Sequence, residues 1–246
     1  PWDRKMAVYA AMVDRMDQGI GRILEKIREL RQENNTLVLF LSDNGGCGEN
    51  IDNTPDRVPG GVDTYTTVDA PWANASNTPF RKYKAFDHEG GISTPLIACW
   101  PNIIEPGSIT HQVGHVIDFL PTFAELGEAE YPLHFNGHDI LPMEGKSLAS
   151  ILRGEERQGH DSLFWELAQC RAVRKGIWKA VSMGPKRKGY GGHYIPAGHE
   201  NWELYNMEAD RCELNDLSSA NPEIVRELDG MWHRWFERCQ RDKAEQ

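Results

Sequence analysis

The sequence predicts an α/β fold over most of the chain, followed by a small α+β subdomain. Near the start of the chain, an amphipathic helix pattern leads by a short turn into an apolar strand pattern, an order typical of α/β proteins. After residue 160, short strand patterns alternate with turn residues and precede a final amphipathic helix pattern. We therefore expect an α/β core over residues 1–158. Residues 159–246 should form a subdomain with an antiparallel sheet and a C-terminal helix.

The composition is that of a globular protein that does not bind nucleic acid. Hydrophobic residues make up 39% of the 246 residues and charged residues 26%. The formal net charge is -10, whereas a protein that neutralises phosphates carries a basic excess. No apolar run reaches the length of about 18 residues that a membrane-spanning helix needs, so we expect no membrane span. The five cysteines show no Cys-x-x-Cys spacing, which leaves the redox compartment open.

The first helix pattern covers Lys5 to Arg31, where apolar residues recur at steps of three and four. Leu37 to Leu41 is too short for a typical helix and too uniformly apolar for a sheet with one wet face, so we expect a buried parallel strand. Asp43 and Asn44 follow directly, ahead of two glycines that allow a sharp turn. Ligands of open α/β sheets bind beyond the carboxyl ends of strands, and these oxygens suit a hard divalent cation. An Asx turn is the alternative.

A polar stretch runs from Gly48 to Ala75 and is much longer than an ordinary connection. Its place directly after the Asp-Asn pair favours a substrate-binding loop. Tyr65 and Trp72 could stack there on a sugar or aryl group, and the alternative is that they fasten the loop to the core.

The next predicted elements complete the first portion. Gly91 to Trp100 predicts a strand, Val113 to Leu126 a helix bent at Pro121, and Gly145 to Arg153 a short helix.

The second portion is predicted to consist of short strands and one helix. A basic stretch from Lys186 to His193 separates the last two strands, and it either leans over an anionic site or forms a solvated hairpin tip. The last helix should begin with Asn221 as cap and Pro222 at its first position, and should end near Arg241. The predicted strands are Ser162 to Leu167, Arg171 to Arg174, Ile177 to Met183 and Trp202 to Asn206.

Several segments together resemble the sulfatases of the alkaline phosphatase superfamily. They are the Ser-Asp-Asn-Gly turn at residues 42–45, the stretch from Asn77 to Pro95 with its Glu-Gly-Gly turn, Tyr9 to Asp17 and, more weakly, residues 202–217. The resemblance implies that this chain is the C-terminal part of an alkaline-phosphatase-like α/β/α sandwich with its C-terminal subdomain. It also implies hydrolysis of a small-molecule or carbohydrate sulfate ester.

The resemblance assigns roles to particular residues. Asp43 and Asn44 match the pair that ligates calcium in the family, and Lys84, five residues before the Glu-Gly-Gly turn, matches the lysine that contacts the sulfate. His88 is close enough in sequence to be a candidate for catalysis, and Arg81 is a candidate for substrate binding. Trp72 of the long loop and His193 of the basic stretch are further candidates for substrate binding.

The nucleophile of the family is not found in this sequence. Sulfatases form formylglycine from the first residue of Cys/Ser-x-Pro-x-Arg, but the segments Ser93 to Ile97 and Cys99 to Ile103 end in isoleucine in place of arginine. Two further metal-binding aspartates of the family also have no counterpart. We therefore expect a C-terminal fragment that is inactive alone and that associates with itself or with a missing N-terminal half carrying the formylglycine. A phosphate or phosphonate ester hydrolase of the same superfamily and a non-catalytic binding relative are the alternatives.

Overall fold

The computed structural model describes residues 2–167, 169–183 and 201–244. The described residues form two compact units. The first takes in residues 2–20, 41–95 and the described part of 161–246, and the second takes in residues 21–40 and 96–160. The predicted boundary between an α/β core at residues 1–158 and a C-terminal subdomain at residues 159–246 stays a prediction.

The first helix, α1, covers Trp2–Glu29, so the predicted long helix is confirmed with slightly earlier ends. None of its residues is buried. The apolar side chains of Met12, Met16 and Ile23 are 66%, 47% and 63% exposed. The described part of this chain therefore leaves the apolar stripe of α1 accessible. No helix among the described residues is long and apolar enough to cross a membrane.

The apolar run after α1 forms the strand β1, Val38–Phe40, which pairs with β2, Ile97–Cys99. The prediction of a buried parallel strand is wrong for this pair, because the two strands are antiparallel and Phe40 is 42% exposed. Among the described residues β1 has no second neighbour. A sheet of two strands cannot cover both faces of β1, and an apolar run does not specify the direction of its partner.

Two helices lie in the sequence between β1 and β2. The helix α2 covers Asp69–Asn77, so the loop predicted to reach Ala75 ends earlier. An antiparallel bridge between Asp52 and Thr66 closes this loop. The single-turn helix α3, Glu89–Ile92, occupies the start of the strand that we predicted from Gly91.

Besides the end of α1, the second unit contains the helix α4 at Phe119–Leu126. The prediction began this helix at Val113 and bent it at Pro121. Instead Pro121 lies in the first turn, where its missing N–H needs no partner within the helix, so no bend is required. A hairpin of β3, His134–Phe135, and β4, His138–Asp139, was not predicted and precedes the short helix α5 at Ala149–Leu152.

The predicted antiparallel sheet of the C-terminal portion is confirmed. Its four strands are hydrogen-bonded in sequence order, β5 to β8. The basic stretch from Lys186 to His193 lies outside the described residues. The strands are β5 at Leu163–Leu167, β6 at Cys170–Lys175, β7 at Trp178–Ser182 and β8 at Glu203–Asn206.

The last helix, α6, covers Pro222–Ala244 and begins at the predicted proline. It packs on one face of the β5–β8 sheet, where the buried core consists of Val173, Ala180, Leu204, Leu228 and Trp232. Successive residues of a strand point to opposite faces, so the neighbours of Ala180 and Leu204 lie on the other face of this sheet. That second face carries the polar side chains of Lys179, Glu203 and Tyr205, which contact residues of the candidate site.

Candidate functional site

The Asp-Asn turn, residues 42–46, follows β1 and holds the two predicted calcium ligands. Asp43 is exposed and Asn44 is half-buried. The side-chain nitrogen of Asn44 donates to the carbonyl of Gly45 at 2.9 Å, which leaves the side-chain oxygen as the group suited to a cation. The Ser42 hydroxyl donates to the Asn44 carbonyl at 2.8 Å, and the Ser42 amide donates to Thr94 Oγ1 at 3.2 Å. These bonds give the turn a defined shape.

Glycines bring the Asp-Asn turn into backbone contact with residues 81–91, here called the Glu-Gly-Gly segment. The Gly45 amide donates to the Gly91 carbonyl at 3.0 Å. A Cβ atom on Gly45 would lie 1.8 Å from the carbonyl oxygen of Gly90, and one on Gly91 would lie 1.9 Å from that of Phe86. Only glycine allows so close an approach, so Gly45 is required for the contact between the two segments, and Gly91 is required for the backbone path within the Glu-Gly-Gly segment.

The same contact places Lys84 beside the Asp-Asn turn. The Lys84 amide donates to the Gly46 carbonyl at 3.0 Å. Asn77, at the end of α2, bridges the two segments, since its Oδ1 accepts from the Gly46 amide at 3.0 Å and its Nδ2 donates to the Lys82 carbonyl at 3.1 Å. No sequence pattern indicates this bridging role of Asn77, because an asparagine at a helix end is equally suited to capping. The structure thus joins the predicted metal ligands and the predicted sulfate lysine through backbone bonds.

Arg81 and His88 contact the polar face of the β5–β8 sheet. His88 is fully buried, and its Nε2 lies 2.9 Å from Glu203 Oε2. The guanidinium of Arg81 donates to the Tyr205 hydroxyl at 2.7 Å and to the Glu213 carbonyl at 2.6 Å. Both residues therefore fasten the Glu-Gly-Gly segment to the sheet. Their predicted roles in catalysis and substrate binding stay predictions.

His88 and Glu203 form a pair of a neutral imidazole and a carboxylate. Burial lowers the pKa of His88. Burial alone would raise the pKa of Glu203, but hydrogen bonds from His88 and Tyr205 outweigh it and bring the pKa to about 2. Nδ1 of His88 is buried and has no hydrogen-bond partner among the described residues, as suits a lone pair better than a second proton. We therefore assign the proton to Nε2, which donates it to ionised Glu203.

A second buried cluster centres on Lys179 of β7. Its ammonium is fully buried and lies 2.7 Å from Glu89 Oε1 and 2.8 Å from Glu213 Oε1. Burial would lower the pKa of Lys179, but the charges of the two carboxylates outweigh it and raise the pKa. Burial would likewise raise the pKa of Glu89, but Lys179 holds it below its usual value. Glu213 Oε2 also accepts from the Glu89 amide at 2.7 Å, so the cluster fixes the start of α3.

Sequence reasoning did not identify Lys179, Glu203 or Glu213 as residues that hold the Glu-Gly-Gly segment in place. One signal was available, because Lys179 is the one charged residue in the predicted strand Ile177 to Met183. A lysine on the buried face of a strand requires an acidic partner. The pattern does not say which of the 37 acidic residues supplies it.

Two further candidates lie apart from these contacts. The indole nitrogen of Trp72 donates to the backbone carbonyl of Trp2 at 3.2 Å, which fits the alternative that this side chain fastens its segment to the rest of the unit. Its substrate-binding role stays a prediction. His193 lies outside the described residues, so its role is untested.

Asp43 and Asn44 fit a part of a calcium site. They offer a carboxylate and an amide oxygen, the ligand types that calcium takes. The described residues contain no group of three or more His, Cys, Asp or Glu side chains that could hold a metal ion. Since calcium takes about six to eight oxygens, these two side chains would need further ligands from elsewhere.

Solved structures share the fold of this chain. The crystal structure of Ps i-CgsB in complex with k-i-k-neocarrahexaose matches with a TM-score of 0.65 and 25% identity, over 95% of this chain and 43% of that chain. The phosphonate monoester hydrolase of Agrobacterium radiobacter matches with a TM-score of 0.51 at 18% identity, over 94% of this chain and 40% of that chain, which shows likeness of fold alone. The prediction of an alkaline-phosphatase-like α/β fold is confirmed.

Sequence comparisons identify the family. An uncharacterized sulfatase of Schizosaccharomyces pombe is 34% identical over 248 residues, covering 93% of this chain and 43% of the relative. The chain spans less than half the length of the curated relatives that it matches. The family described as N-sulphoglucosamine sulphohydrolase, C-terminal, matches residues 80–238, and the family described as Sulfatase matches residues 2–129. Because these matches cover more than half of its residues, the chain belongs to the sulfatase family.

Proposed function

We propose that the full-length protein hydrolyses sulfate esters, and that Asp43, Asn44 and Lys84 belong to its active site. The observation that carries this proposal is the hydrogen bond from the Lys84 amide to Gly46, together with the glycine contact between the two motifs. A sulfate ester is an anion, and both cationic side chains and a bound metal ion stabilise negative charge on its oxygens. A carboxylate, an amide oxygen and a lysine on hydrogen-bonded backbone segments are suited to supply that charge together.

The metal ligands and the lysine have separate tasks in this proposal. Asp43 and Asn44 contribute oxygen ligands, and calcium, when bound, would neutralise charge on the sulfate oxygens. Lys84 binds the sulfate group and adds a fixed positive charge, which is most effective when it is held in place before the reaction. The formylglycine nucleophile is proposed to come from a segment outside these 246 residues.

We propose a sulfated carbohydrate as the substrate class. This is supported by the relative Ps i-CgsB, which was solved with k-i-k-neocarrahexaose. It is also supported by the long loop directly after the Asp-Asn turn, since loops of this length in compact domains are commonly binding loops.

The full-length protein is expected to turn over a chromogenic aryl sulfate, in calcium, at least about tenfold faster than the matching aryl phosphate or phosphonate. The matched control is the purified chain of residues 1–246, which should show no turnover because no Cys/Ser-x-Pro-x-Arg occurs in it. Faster turnover of the phosphonate would favour the rival hydrolase. Turnover by a preparation that mass spectrometry shows to contain only these residues would contradict the proposed mechanism.

The chain alone is expected to bind calcium more weakly than about micromolar, the range of dedicated calcium sensors. The reason is that Asp43 and Asn44 supply only two oxygens of a larger ligand set. Calorimetric titration of the purified chain measures the affinity, with the variant Asp43→Ala as control. Submicromolar binding that the control abolishes would mean that the chain holds a complete site, against our prediction.

A further inference from the structure

Glu49 lies next to Lys84, and nothing so far has given this carboxylate a task. Its Oε1 is 3.7 Å from the Lys84 ammonium, and the two side chains are 23% and 34% exposed. The distance is short enough for an ion pair but too long for a hydrogen bond. Among the described residues no acceptor lies within hydrogen-bond distance of this ammonium. Glu49 therefore attracts the Lys84 side chain, and the N–H donors of the Lys84 ammonium remain available to another anion.

The backbone fixes the positions of both partners. Thr67 Oγ1 donates to the Glu49 carbonyl at 2.5 Å and accepts from the Ile51 amide at 2.9 Å, which ties the two sides of the loop together. On the other side, the Lys84 amide is bonded to Gly46, three residues before Glu49. The pair is thus built into the loop that follows the Asp-Asn turn.

Cys47 lies close to Glu49 and adds no negative charge beside Lys84. Burial raises the pKa of its thiol, and the nearby carboxylate of Glu49 acts in the same direction. The thiol is therefore protonated at neutral pH, and Glu49 supplies the negative charge beside Lys84.

We propose that Glu49 is a positioning residue that holds the Lys84 ammonium in the free enzyme and promotes release of the sulfate product. This inference rests on the proposed function. A sulfate ester carries one negative charge, whereas hydrolysis breaks the ester bond with water to give the alcohol and sulfate, which carries two charges after losing its proton to solvent. Coulomb repulsion from Glu49 scales with the charge of the anion, so it weakens product binding about twice as strongly, in free energy, as substrate binding.

The test compares Glu49→Gln with the wild type in the full-length protein, because glutamine keeps the shape and removes the charge. We expect the KM for an aryl sulfate to fall about threefold, as for the loss of one partly exposed charge contact. The inhibition constant of inorganic sulfate should fall by about the square of that factor, roughly tenfold. Both changes should shrink as salt is added, because salt screens the repulsion.

Asp52→Asn is the matched control, since it removes one charge from the same loop while Asn can still accept from the Thr54 amide. It should change both constants less than about twofold. Equal changes of KM and inhibition constant in Glu49→Gln, no change in either, or the same changes in Asp52→Asn would overturn the proposal. If the wild type turned over no sulfate ester, the proposed function would fail. Calorimetric binding of inorganic sulfate to the same variants would then decide the effect of Glu49 separately, and melting temperatures would show that each variant is folded.

Discussion

Replacing Lys84 with alanine in the full-length protein is expected to lower kcat for an aryl sulfate by about a hundredfold or more. Removing one preorganised contact to the transition state has an effect of about this size in other enzymes. The melting temperature should stay nearly unchanged. The side chain is 34% exposed, and its one ion pair within the described part of the chain, with Glu49, spans 3.7 Å, so its contribution to stability is below about 1 kcal/mol. Steady-state kinetics and calorimetry on the same preparation measure both quantities.

Lys26→Ala is the control for this experiment. Lys26 lies on α1, is 66% exposed and, among the described residues, forms an ion pair only with Glu29 at 2.8 Å, so its loss should change neither rate nor melting temperature. If Lys84→Ala kept the wild-type rate, the lysine would not serve the substrate. A large fall in melting temperature with the rate intact would show instead that Lys84 serves the fold.

Local patterns predicted the elements whose neighbours are near in sequence. The strands β5 to β8 pair in sequence order, so short apolar runs between turn residues were enough to predict their sheet. The Asp-Asn turn and Lys84 were found because motif spacing encodes them. Their backbone contact through Gly45 and Gly90 confirms that the two motifs lie together, although the roles of the residues remain predicted.

Patterns failed where the partner is distant. The apolar run of β1 predicted a strand, but the pairing with β2 and its antiparallel direction depend on a segment more than fifty residues away. The contacts of His88 with Glu203 and of Lys179 with Glu89 span 115 and 90 residues. Each charged residue alone is compatible with a solvated surface position, so only the fold reveals that these side chains are buried together.

The apolar stripe of α1 shows a different limit. Its periodicity correctly predicted the helix, and an amphipathic helix normally buries such a stripe against a sheet. Among the described residues the stripe stays accessible, with Met12 66% and Ile23 63% exposed. Periodicity establishes that a face is apolar, but it does not say whether the covering surface belongs to the same stretch of chain.

Replacing Lys179 with methionine in the full-length protein is expected to lower the free energy of unfolding by about 3–5 kcal/mol, the cost of leaving a buried charge without its partner. The variant would leave the carboxylates of Glu89 and Glu213, which are 5% and 0% exposed, without the cation that lies between them. Urea unfolding at pH 7 measures the loss. Because Lys179 holds the pKa of Glu89 below its usual value, removing it lets burial raise that pKa. A carboxyl group whose pKa is raised by folding destabilises the fold at pH values above its unfolded pKa, and the effect grows until the pH exceeds its folded pKa, so the deficit should shrink as the pH falls towards 5.

Two matched variants separate charge from packing. Lys175→Met removes a lysine from the neighbouring strand β6 whose side chain is 50% exposed in its pair with Glu227, and it should cost less than about 1 kcal/mol. The triple variant Lys179→Met with Glu89→Gln and Glu213→Gln removes all three charges, while the glutamine oxygen at position 213 can still accept from the amide of residue 89. It should recover most of the loss, because a buried ionic cluster is often replaceable by neutral groups of similar size. A triple variant as unstable as Lys179→Met at pH 7, or a deficit that does not change between pH 7 and pH 5, would mean that the cluster stabilises the fold by packing and not by charge.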